Sequence, residues 1–193
     1  MTADGEVKTS KFELGPNCKV FSEDHREIQP GSGEAGFVAR GGAVPLGYYK
    51  DPEKTAKTFP TINGMRYSIP GDWCTVEADG SMTLLGRGSN CINTAGEKVY
   101  PEEVEEALKM HDAVRDALVV GLPDDKWGQA VTAVVSLDGE VSEEDLRAFV
   151  ATKIARFKSP KRIFFKPDLG RAVNGKADYK TIKAFAETQA GKT

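Results

Sequence analysis

Seven residues near the end of the chain, Gly170 to Lys176, have the spacing G-x-x-x-x-G-K. In a nucleotide-binding P-loop of that spacing, backbone N–H groups surround the phosphates and the next residue is a Ser or Thr that binds magnesium. Here the next residue is Ala177, and no strand pattern follows to complete a βαβ unit. We therefore interpret Asn174-Gly175 as a tight turn that projects Lys176 from its tip. A lysine that is simply solvated is the alternative.

Two further charged residues stand next to glycines. Asp72 follows Gly71 in "SIPGDW", a turn that leads into a predicted strand. A carboxylate there can accept two hydrogen bonds from adjacent hydroxyls, such as the cis-diol of a ribose, although Asp also shapes turns without binding a ligand. Arg87 stands between Gly86 and Gly88 at a change in composition. That setting is typical of a hinge beside an anchored charge, or of an exposed arginine in a linker.

Short β-prone segments and turns make up the first part of the chain. The segments "NCKVF" and "GFVAR" are separated by a polar loop. "DPEKTAKTF" predicts a helix with Asp51 as N-cap and Pro52 at the first helical position. "GDWCTVEADGSMTLLGR" predicts a hairpin that turns at Asp79-Gly80. We expect residues 1–87 to form a small β-rich subdomain.

The second part of the chain mixes strands and helices. "PEEVEEALKM" predicts a helix from Pro101 with one buried apolar face. Two β-rich segments, "AVRDALVVGL" and "QAVTAVVSL", follow, and Ser142 is a candidate cap for another helix. "KRIFF" predicts a last strand and "ADYKTIKAFAE" a last helix. The predicted fold class is α+β, with a small mixed sheet flanked by helices over residues 88–193.

The composition limits the classes of protein to which the chain can belong. A formal net charge of −3 over 193 residues, without a Lys/Arg run, argues against a general nucleic-acid binder. No apolar run approaches the roughly 18 residues that span a bilayer, so no transmembrane segment is expected. The first residues contain no apolar signal segment, so the cytoplasm is the expected compartment.

Neither the cysteines nor the densest acidic cluster predicts a metal site. The three cysteines are widely spaced, and we interpret them as reduced structural thiols: Cys18, Cys74 and Cys91. Four glutamates lie close together at the start of one predicted helix: Glu102, Glu103, Glu105 and Glu106. With no His or Asp at ligand spacing, they are interpreted as a solvated helix start that complements the helix dipole.

Taken in order, six segments resemble the adenylate-forming enzymes, which include acyl-CoA synthetases, luciferases and nonribosomal-peptide adenylation domains. The segments are "LGYYKDPEKTAKTF", "SIPGDW", "LLGRGSNCINTAGEKVYPEEVEEAL", "VVGLPDDKWGQAVTAVV", "FKSPKRIFF" and "NGKADYKTIK". The resemblance runs from about Gly15 to Lys183. The sequences of the segments "GYYKDPEKTAKTF" and "GEKVYPEEVE" are most similar to the fatty acyl-CoA synthetase branch.

The resemblance implies an enzyme that joins a carboxylic acid to ATP, releases pyrophosphate and passes the acyl group from acyl-AMP to the thiol of CoA. Asp72 matches the aspartate that holds the ribose diol, and Arg87 matches an arginine that also contacts the ribose. Lys176 matches the lysine that reaches the substrate carboxylate and the α-phosphate during adenylation. Ser89 falls at the hinge about which a small C-terminal domain swings. Gly96 matches a glycine near the pantetheine channel.

The same resemblance implies how the chain fits into a larger enzyme. Residues 1–87 match the end of a large N-terminal domain, a distorted barrel-like subdomain, and residues 88–193 match the mobile C-terminal domain. The phosphate loop, the acid that binds Mg²⁺ and the acyl pocket are then expected in an N-terminal region that this chain lacks. The expected partners are that region and the substrates, namely a fatty or related carboxylic acid, ATP and CoA. Alone, the chain is expected to be inactive.

Some positions depart from the family pattern. Ser89 lacks the usual hinge charge, Asn93 stands where many members have Lys, and Gln129 replaces a frequent Glu. The proline common before the catalytic lysine is also absent. Two alternatives stay open: a fatty acyl-AMP ligase that loads a carrier protein, and a non-catalytic interaction module of the same fold. The presence of Asp72, Arg87 and Lys176 together argues against the second.

Overall fold

The computed structural model describes residues 11–191. These residues separate between Ser89 and Asn90 into two units, which we call the first unit (residues 11–89) and the second unit (residues 90–191). The separation lies just after Arg87, the last residue of the predicted N-terminal part. The identity of the two units as domains of a larger enzyme stays a prediction.

The first unit is built around one open antiparallel sheet. Its elements in chain order are β1 (Lys11–Glu13), β2 (Cys18–Phe21), β3 (Ala35–Arg40), α1 (Pro52–Thr58), β4 (Thr61–Ile62), β5 (Met65–Arg66), β6 (Asp72–Val76) and β7 (Ser81–Arg87). Five strands pair in the order β1-β7-β6-β3-β2, and β4 and β5 form a separate hairpin. Because β1 and β2 are edge strands that do not pair with each other, the barrel-like closure expected for this unit is not formed in the part of the chain described.

Local sequence signals set the start of α1 and the turn between β6 and β7. The Asp51 carboxylate accepts a hydrogen bond from the Lys54 N–H at 2.9 Å, which caps the helix. Gly80 has φ of 82°, and its N–H donates to the Glu77 carbonyl at 2.9 Å. A three-residue loop with glycine in the left-handed region is a common hairpin connection. Both local predictions are confirmed.

Apolar side chains cover both faces of the first sheet. One cluster contains Val20, Ile28, Cys74 and Val76, and the other contains Phe21, Ala39, Ile62 and Tyr67. Burial raises the pKa of the Cys74 thiol to about 12, so this cysteine acts as a small apolar core residue. All three cysteines are free thiols.

The second unit contains a mixed sheet with helices on both faces. Its elements are β8 (Ile92–Thr94), β9 (Glu97–Val99), α2 (Pro101–Lys109), β10 (Val114–Asp124), β11 (Gly128–Leu137), α3 (Glu143–Ala151), β12 (Arg162–Phe165) and α4 (Tyr179–Ala190). The strand order is β10-β11-β8-β9, and β12 pairs with β11 in parallel. The Ser142 hydroxyl accepts from the Asp145 N–H at 3.1 Å and caps α3 as predicted.

Strand β10 separates two apolar layers in the second unit. Successive side chains of a strand point to opposite faces. Ala117 and Val119 accordingly pack in the cluster that contains α2 and α3, whereas Leu118 and Val120 pack in the cluster that contains α4. The long β10 is therefore the strand against which α2 and α4 pack from opposite faces.

The observed architecture confirms the predicted α+β class. Helices and strands are mixed along the chain, and the sheet of the second unit is flanked by helices as expected. The longest helix within residues 11–191 is the 12-residue α4, and no helix in that range combines the length and apolarity required to cross a membrane.

Candidate functional site

Asp72 and Arg87 are direct neighbours in the first unit. Asp72 begins β6, Arg87 ends β7, and the antiparallel register places them opposite each other. Arg87 Nε lies 3.2 Å from Asp72 Oδ1, with 63% of the arginine side chain and 34% of the aspartate side chain exposed. The pair thus presents an acceptor and a donor to solvent at one end of the hairpin, which is suited to a ligand with adjacent hydroxyls.

Glycines on either side of this pair fix the end of the hairpin. Gly71 has φ of 98°, which favours glycine, and its carbonyl accepts from the Gly88 N–H at 3.0 Å. A Cβ added to Gly88 would lie 2.2 Å from Nε1 of Trp73. Trp73 is 6% exposed and packs against Phe37 in a tilted arrangement, with ring centroids 4.4 Å apart and an interplanar angle of 56°. The buried indole therefore leaves room only for glycine directly after Arg87.

Ser89 lies in a short 3-10 turn, Gly88–Asn90. Its side chain is exposed, and the separation between the two units falls directly after it. The hinge role assigned to Ser89 by resemblance stays a prediction, since it concerns a movement between two orientations.

Gly96 lies at the tip of the β8–β9 hairpin of the second unit. Ala95 and Gly96 have φ values of 53° and 86°, as in a two-residue turn of type I′. A cleft of about 300 Å³ lies beside the turn, with Ala95 and Glu97 on its wall. Two aromatic and two cationic side chains also line the cleft: Trp127, Phe157, Arg156 and Lys161.

Lys176 follows a turn formed by Ala172 to Gly175, as predicted. The Gly175 N–H donates to the Ala172 carbonyl at 2.7 Å, and the Ala172 N–H donates to the Lys176 carbonyl at 3.0 Å. Asn174 Oδ1 accepts from the Lys176 N–H at 3.2 Å, and Gly175 has φ of 78°. The Lys176 side chain is exposed and makes no ion pair with any residue between 11 and 191. The backbone therefore fixes the base of the lysine and leaves its ammonium group available to a ligand.

Arg171 ties this turn to β10. Its Nε and Nη2 donate to the two carboxylate oxygens of Asp116 at 2.7 and 2.9 Å. Its Nη1 donates to the Gly175 carbonyl at 3.2 Å. Burial alone raises the pKa of Asp116, but the hydrogen bond and the charge of Arg171 outweigh it and hold that pKa below its usual range. The pair is therefore ionised at neutral pH.

A second contact holds the chain just after the lysine. The Tyr179 hydroxyl donates to the Glu105 carboxylate at 3.0 Å, and the same carboxylate accepts from the Val119 N–H at 2.9 Å. Glu105 is only 5% exposed. Burial, together with the nearby Glu102 charge, raises the Glu105 pKa to about 7, although the Val119 and Tyr179 hydrogen bonds oppose that rise. Tyr179 thus fixes the first turn of α4 to α2 and β10.

The structure therefore pairs two of the predicted site residues and places the others separately. Asp72 and Arg87 meet in the first unit, whereas Gly96 and Lys176 stand on different turns of the second unit. The nucleotide, hinge, channel and catalytic roles of these residues stay predictions. Within residues 11–191, no three His, Cys, Asp or Glu side chains converge in a way that could hold a metal ion.

Sequence reasoning missed the residues that hold the turn from Ala172 to Lys176, which we call the lysine turn. It interpreted Glu105 as part of a solvated helix start, but Glu105 is buried and hydrogen-bonded. It assigned no role to Arg171 or Asp116, which are 55 positions apart. One signal in the sequence could have indicated the Glu105 contact. Glu105 is an acid on the apolar face of α2, next to Val104 and close to the buried residues 107 and 108.

Comparison with known proteins finds a family match within the second unit. Residues 103–176 match the family of the AMP-binding enzyme C-terminal domain. This segment includes the anchored turn and ends at Lys176.

Two curated relatives match nearly the whole chain. A 3-oxocholest-4-en-26-oate–CoA ligase of Rhodococcus rhodochrous is 55% identical over 88% of this chain and 32% of the relative. A medium/long-chain-fatty-acid–CoA/3-oxocholest-4-en-26-oate–CoA ligase of Mycolicibacterium smegmatis is 49% identical over 97% of this chain and 35% of the relative. The chain therefore spans about a third of the length of these relatives.

Solved structures show the same fold. ATP-bound MatB from Rhodopseudomonas palustris has a TM-score of 0.77 and 30% identity over 87% of this chain and 33% of that one. The o-succinylbenzoate CoA synthetase of Bacillus subtilis, in complex with an acyl-adenylate intermediate, has a TM-score of 0.76 and 29% identity over 87% of this chain and 34% of that one. These matches confirm that the chain resembles the C-terminal portion of adenylate-forming enzymes.

Proposed function

We propose that this chain, which carries the AMP-binding enzyme C-terminal domain of the adenylate-forming superfamily, is the C-terminal part of an ATP-dependent acyl-CoA synthetase. In the first half-reaction, a carboxylate oxygen attacks the α-phosphorus of ATP, giving acyl-AMP and pyrophosphate. In the second, the thiol of CoA attacks the acyl carbonyl, giving the thioester and AMP. The observation that carries the proposal is the exposed Lys176 on an anchored turn within the matched domain.

Lys176 is proposed to act in the first half-reaction. Negative charge builds up around the α-phosphate as the carboxylate attacks, and a positioned ammonium group stabilises that charge. Thiol attack on acyl-AMP has no need for the same cation. A lysine on a domain that changes orientation can therefore serve one half-reaction and leave before the other. The hinge prediction for Ser89 belongs to this part of the proposal.

Asp72 and Arg87 are proposed to bind the nucleotide. The Asp72 carboxylate can accept hydrogen bonds from both ribose hydroxyls, and the Arg87 guanidinium can donate to the ribose. Their 3.2 Å contact and their exposure support this role, since an acceptor and a donor stand side by side at the surface. The two solved neighbours that are bound to ATP and to an acyl-adenylate intermediate support nucleotide binding as the proposed role.

The cleft beside Gly96 is the proposed surface for the thiol-bearing substrate. Trp127 and Phe157 offer aromatic faces, and Arg156 and Lys161 offer cations, a combination that suits a nucleotide with several phosphates. Such a surface favours CoA over a protein-bound phosphopantetheine. The relatives named as CoA ligases support the same choice.

A fatty acid or the carboxylated side chain of a sterol is the proposed acyl substrate. Relatives named for medium- or long-chain fatty acids and for 3-oxocholest-4-en-26-oate are 49% to 55% identical to this chain, whereas a 2-succinylbenzoate–CoA ligase is 34% identical. We assign none of the described residues to Mg²⁺, because they form no candidate metal cluster.

The proposal is tested with dodecanoate, ATP and CoA in the enzyme that carries this chain. Formation of dodecanoyl-CoA, AMP and pyrophosphate is expected, and a phosphopantetheinyl carrier protein should not replace CoA.

Asp72→Ala should raise the KM for ATP about tenfold, because charge-assisted hydrogen bonds to the ribose are lost. Asp24→Ala, at an exposed aspartate of the same unit, is the matched control. Absence of AMP formation, or an unchanged KM in Asp72→Ala, would contradict the proposal.

A further inference from the structure

The segment that carries Lys176 has no regular secondary structure of its own. Strand β12 ends at Phe165 and α4 begins at Tyr179, so the intervening residues lack a strand or helix ladder. A turn in such a segment opens easily unless side chains hold it to a more rigid element. The contacts that hold this segment therefore determine where the lysine stands.

Arg171 makes the contacts that link this turn to the sheet. Two guanidinium nitrogens bind both oxygens of Asp116, and the third binds the carbonyl of Gly175, the residue before Lys176. The Arg171 side chain is 31% exposed and that of Asp116 is 23% exposed, so solvent screens the pair only in part. The Ala117 N–H also donates to Asp116 at 2.9 Å, which fixes the carboxylate on β10.

We propose that Arg171 is a positioning residue: through Asp116 and the Gly175 carbonyl, it holds the turn so that Lys176 meets the reacting carboxylate and phosphate during adenylation. This inference rests on the proposed function of Lys176. The planar guanidinium is required because its fork reaches a carboxylate and a carbonyl at the same time, whereas a lysine ammonium has one nitrogen. Arg171 acts through the turn and has no contact with the reacting atoms.

A competing role for Arg171 is direct contact with the nucleotide. The two roles differ in what Asp116 does. If Arg171 positions the turn, removal of the Asp116 charge has the same effect as removal of the guanidinium, and the double variant is no worse than either single one. If Arg171 binds phosphate, Asp116→Asn leaves adenylation unchanged or improves it.

The first measurement is amide hydrogen exchange in the 193-residue chain. Arg171→Met and Asp116→Asn should each speed exchange of the Gly175 N–H about tenfold, since a charge-assisted anchor of the turn is lost. Arg147→Met is the matched control, because its ion pair with Glu143 lies on the exposed face of α3. It should leave Gly175 unchanged. This readout does not depend on any activity.

The second measurement separates the half-reactions in the enzyme that carries this chain. With dodecanoate and ATP, Arg171→Met, Asp116→Asn and the double variant should lower kcat for adenylation about tenfold with KM for ATP within about twofold of wild type. Thioester formation from preformed dodecanoyl-AMP and CoA should stay at the wild-type rate. Arg171→Lys should restore part of the loss, and an unchanged melting temperature shows that the variants fold.

Each remaining outcome contradicts a specific statement. Wild-type exchange and wild-type adenylation in Arg171→Met overturn the inference. A loss in Arg171→Met with none in Asp116→Asn overturns it in favour of direct contact. If Lys176→Met keeps full adenylation, the proposed function fails and the inference fails with it. If Lys176→Met is inactive but Arg171→Met is not, only the inference fails.

Discussion

Two turns of the molecule have the same backbone hydrogen bonds but different surroundings. In the β6–β7 hairpin, the Glu77 N–H donates to the Ser81 carbonyl at 2.8 Å, Gly80 has φ of 82°, and Asp79 accepts from the Ser81 N–H. In the turn that carries the lysine, Ala172 and Lys176 make the equivalent 3.0 Å bond, with Gly175 at φ of 78° and Asn174 as the acceptor. The sequences E-A-D-G-S and A-V-N-G-K thus encode one local geometry.

What differs is how each turn is held. The first turn joins two strands that pair along their length, so its closure is supported by a backbone ladder. The second turn has no ladder beside it, and the Arg171–Asp116 and Tyr179–Glu105 contacts hold its two sides instead. Side-chain anchors can be changed one at a time without loss of the sheet. The first turn therefore serves folding, and the second places a lysine.

The largest effect on stability is expected from the buried anchor. Because the folded protein binds the Glu105 proton more tightly than the unfolded chain, the free energy of unfolding falls as pH rises from about 4.5 to about 7. A pKa change of that size corresponds to about 3 kcal/mol. Glu105→Gln keeps an acceptor for Val119 and Tyr179 but cannot ionise. It should therefore remove most of this pH dependence, as measured by urea unfolding at acidic and alkaline pH.

The control for that prediction is the neighbouring Glu106→Gln on α2. The Glu106 side chain is 46% exposed, so this substitution should leave the pH dependence of unfolding as in the wild type. If the free energy of unfolding depends on pH equally in the wild type and in Glu105→Gln, ionisation of the buried carboxylate does not destabilise the region around the lysine turn. The two turns would then differ less than the contacts indicate.

A smaller effect is expected from alanine at the two glycines. A Cβ on Gly80 or Gly175 meets no atom within 4 Å, so both substitutions test only the left-handed backbone. Gly80→Ala should lower the stability of the first unit by about 1 kcal/mol. Gly175→Ala should change the stability of the second unit by less than half of that, because its turn can open locally. Trp73 and Trp127 report on the two units separately in fluorescence-monitored unfolding.

Equal losses of stability in the two units would contradict this difference between the turns. A larger loss for Gly175→Ala would mean that the lysine turn contributes to folding. In the enzyme that carries this chain, Gly175→Ala should in addition slow adenylation, whereas Gly80→Ala should not.

The features predicted from the sequence are those that short stretches of chain determine. The caps at Asp51 and Ser142, the turn at Asp79-Gly80 and the turn before Lys176 each depend on residues within four positions of one another. Backbone conformation and local hydrogen bonds dictate such structures. The α+β class follows from the order of the predicted elements.

The anchors of the lysine turn could not be predicted in the same way. Arg171 meets Asp116 across 55 positions, and Tyr179 meets Glu105 across 74 positions. These pairs exist because β12 lies parallel to β11 and α4 lies against β10, and no local pattern encodes that arrangement. The closeness of Asp72 and Arg87 could have been expected, since a hairpin with its turn at Asp79-Gly80 places them opposite each other.

Lys176 is proposed to serve one half-reaction and not the other. The direct test is Lys176→Met in the enzyme that carries this chain, with Lys180→Met on α4 as an exposed-lysine control. Pyrophosphate release from dodecanoate and ATP should fall on the order of 100- to 1000-fold, as expected when one transition-state contact is lost. Thioester formation from preformed dodecanoyl-AMP and CoA should stay at the wild-type rate. Equal losses in the two half-reactions, or none in either, would contradict this role of Lys176.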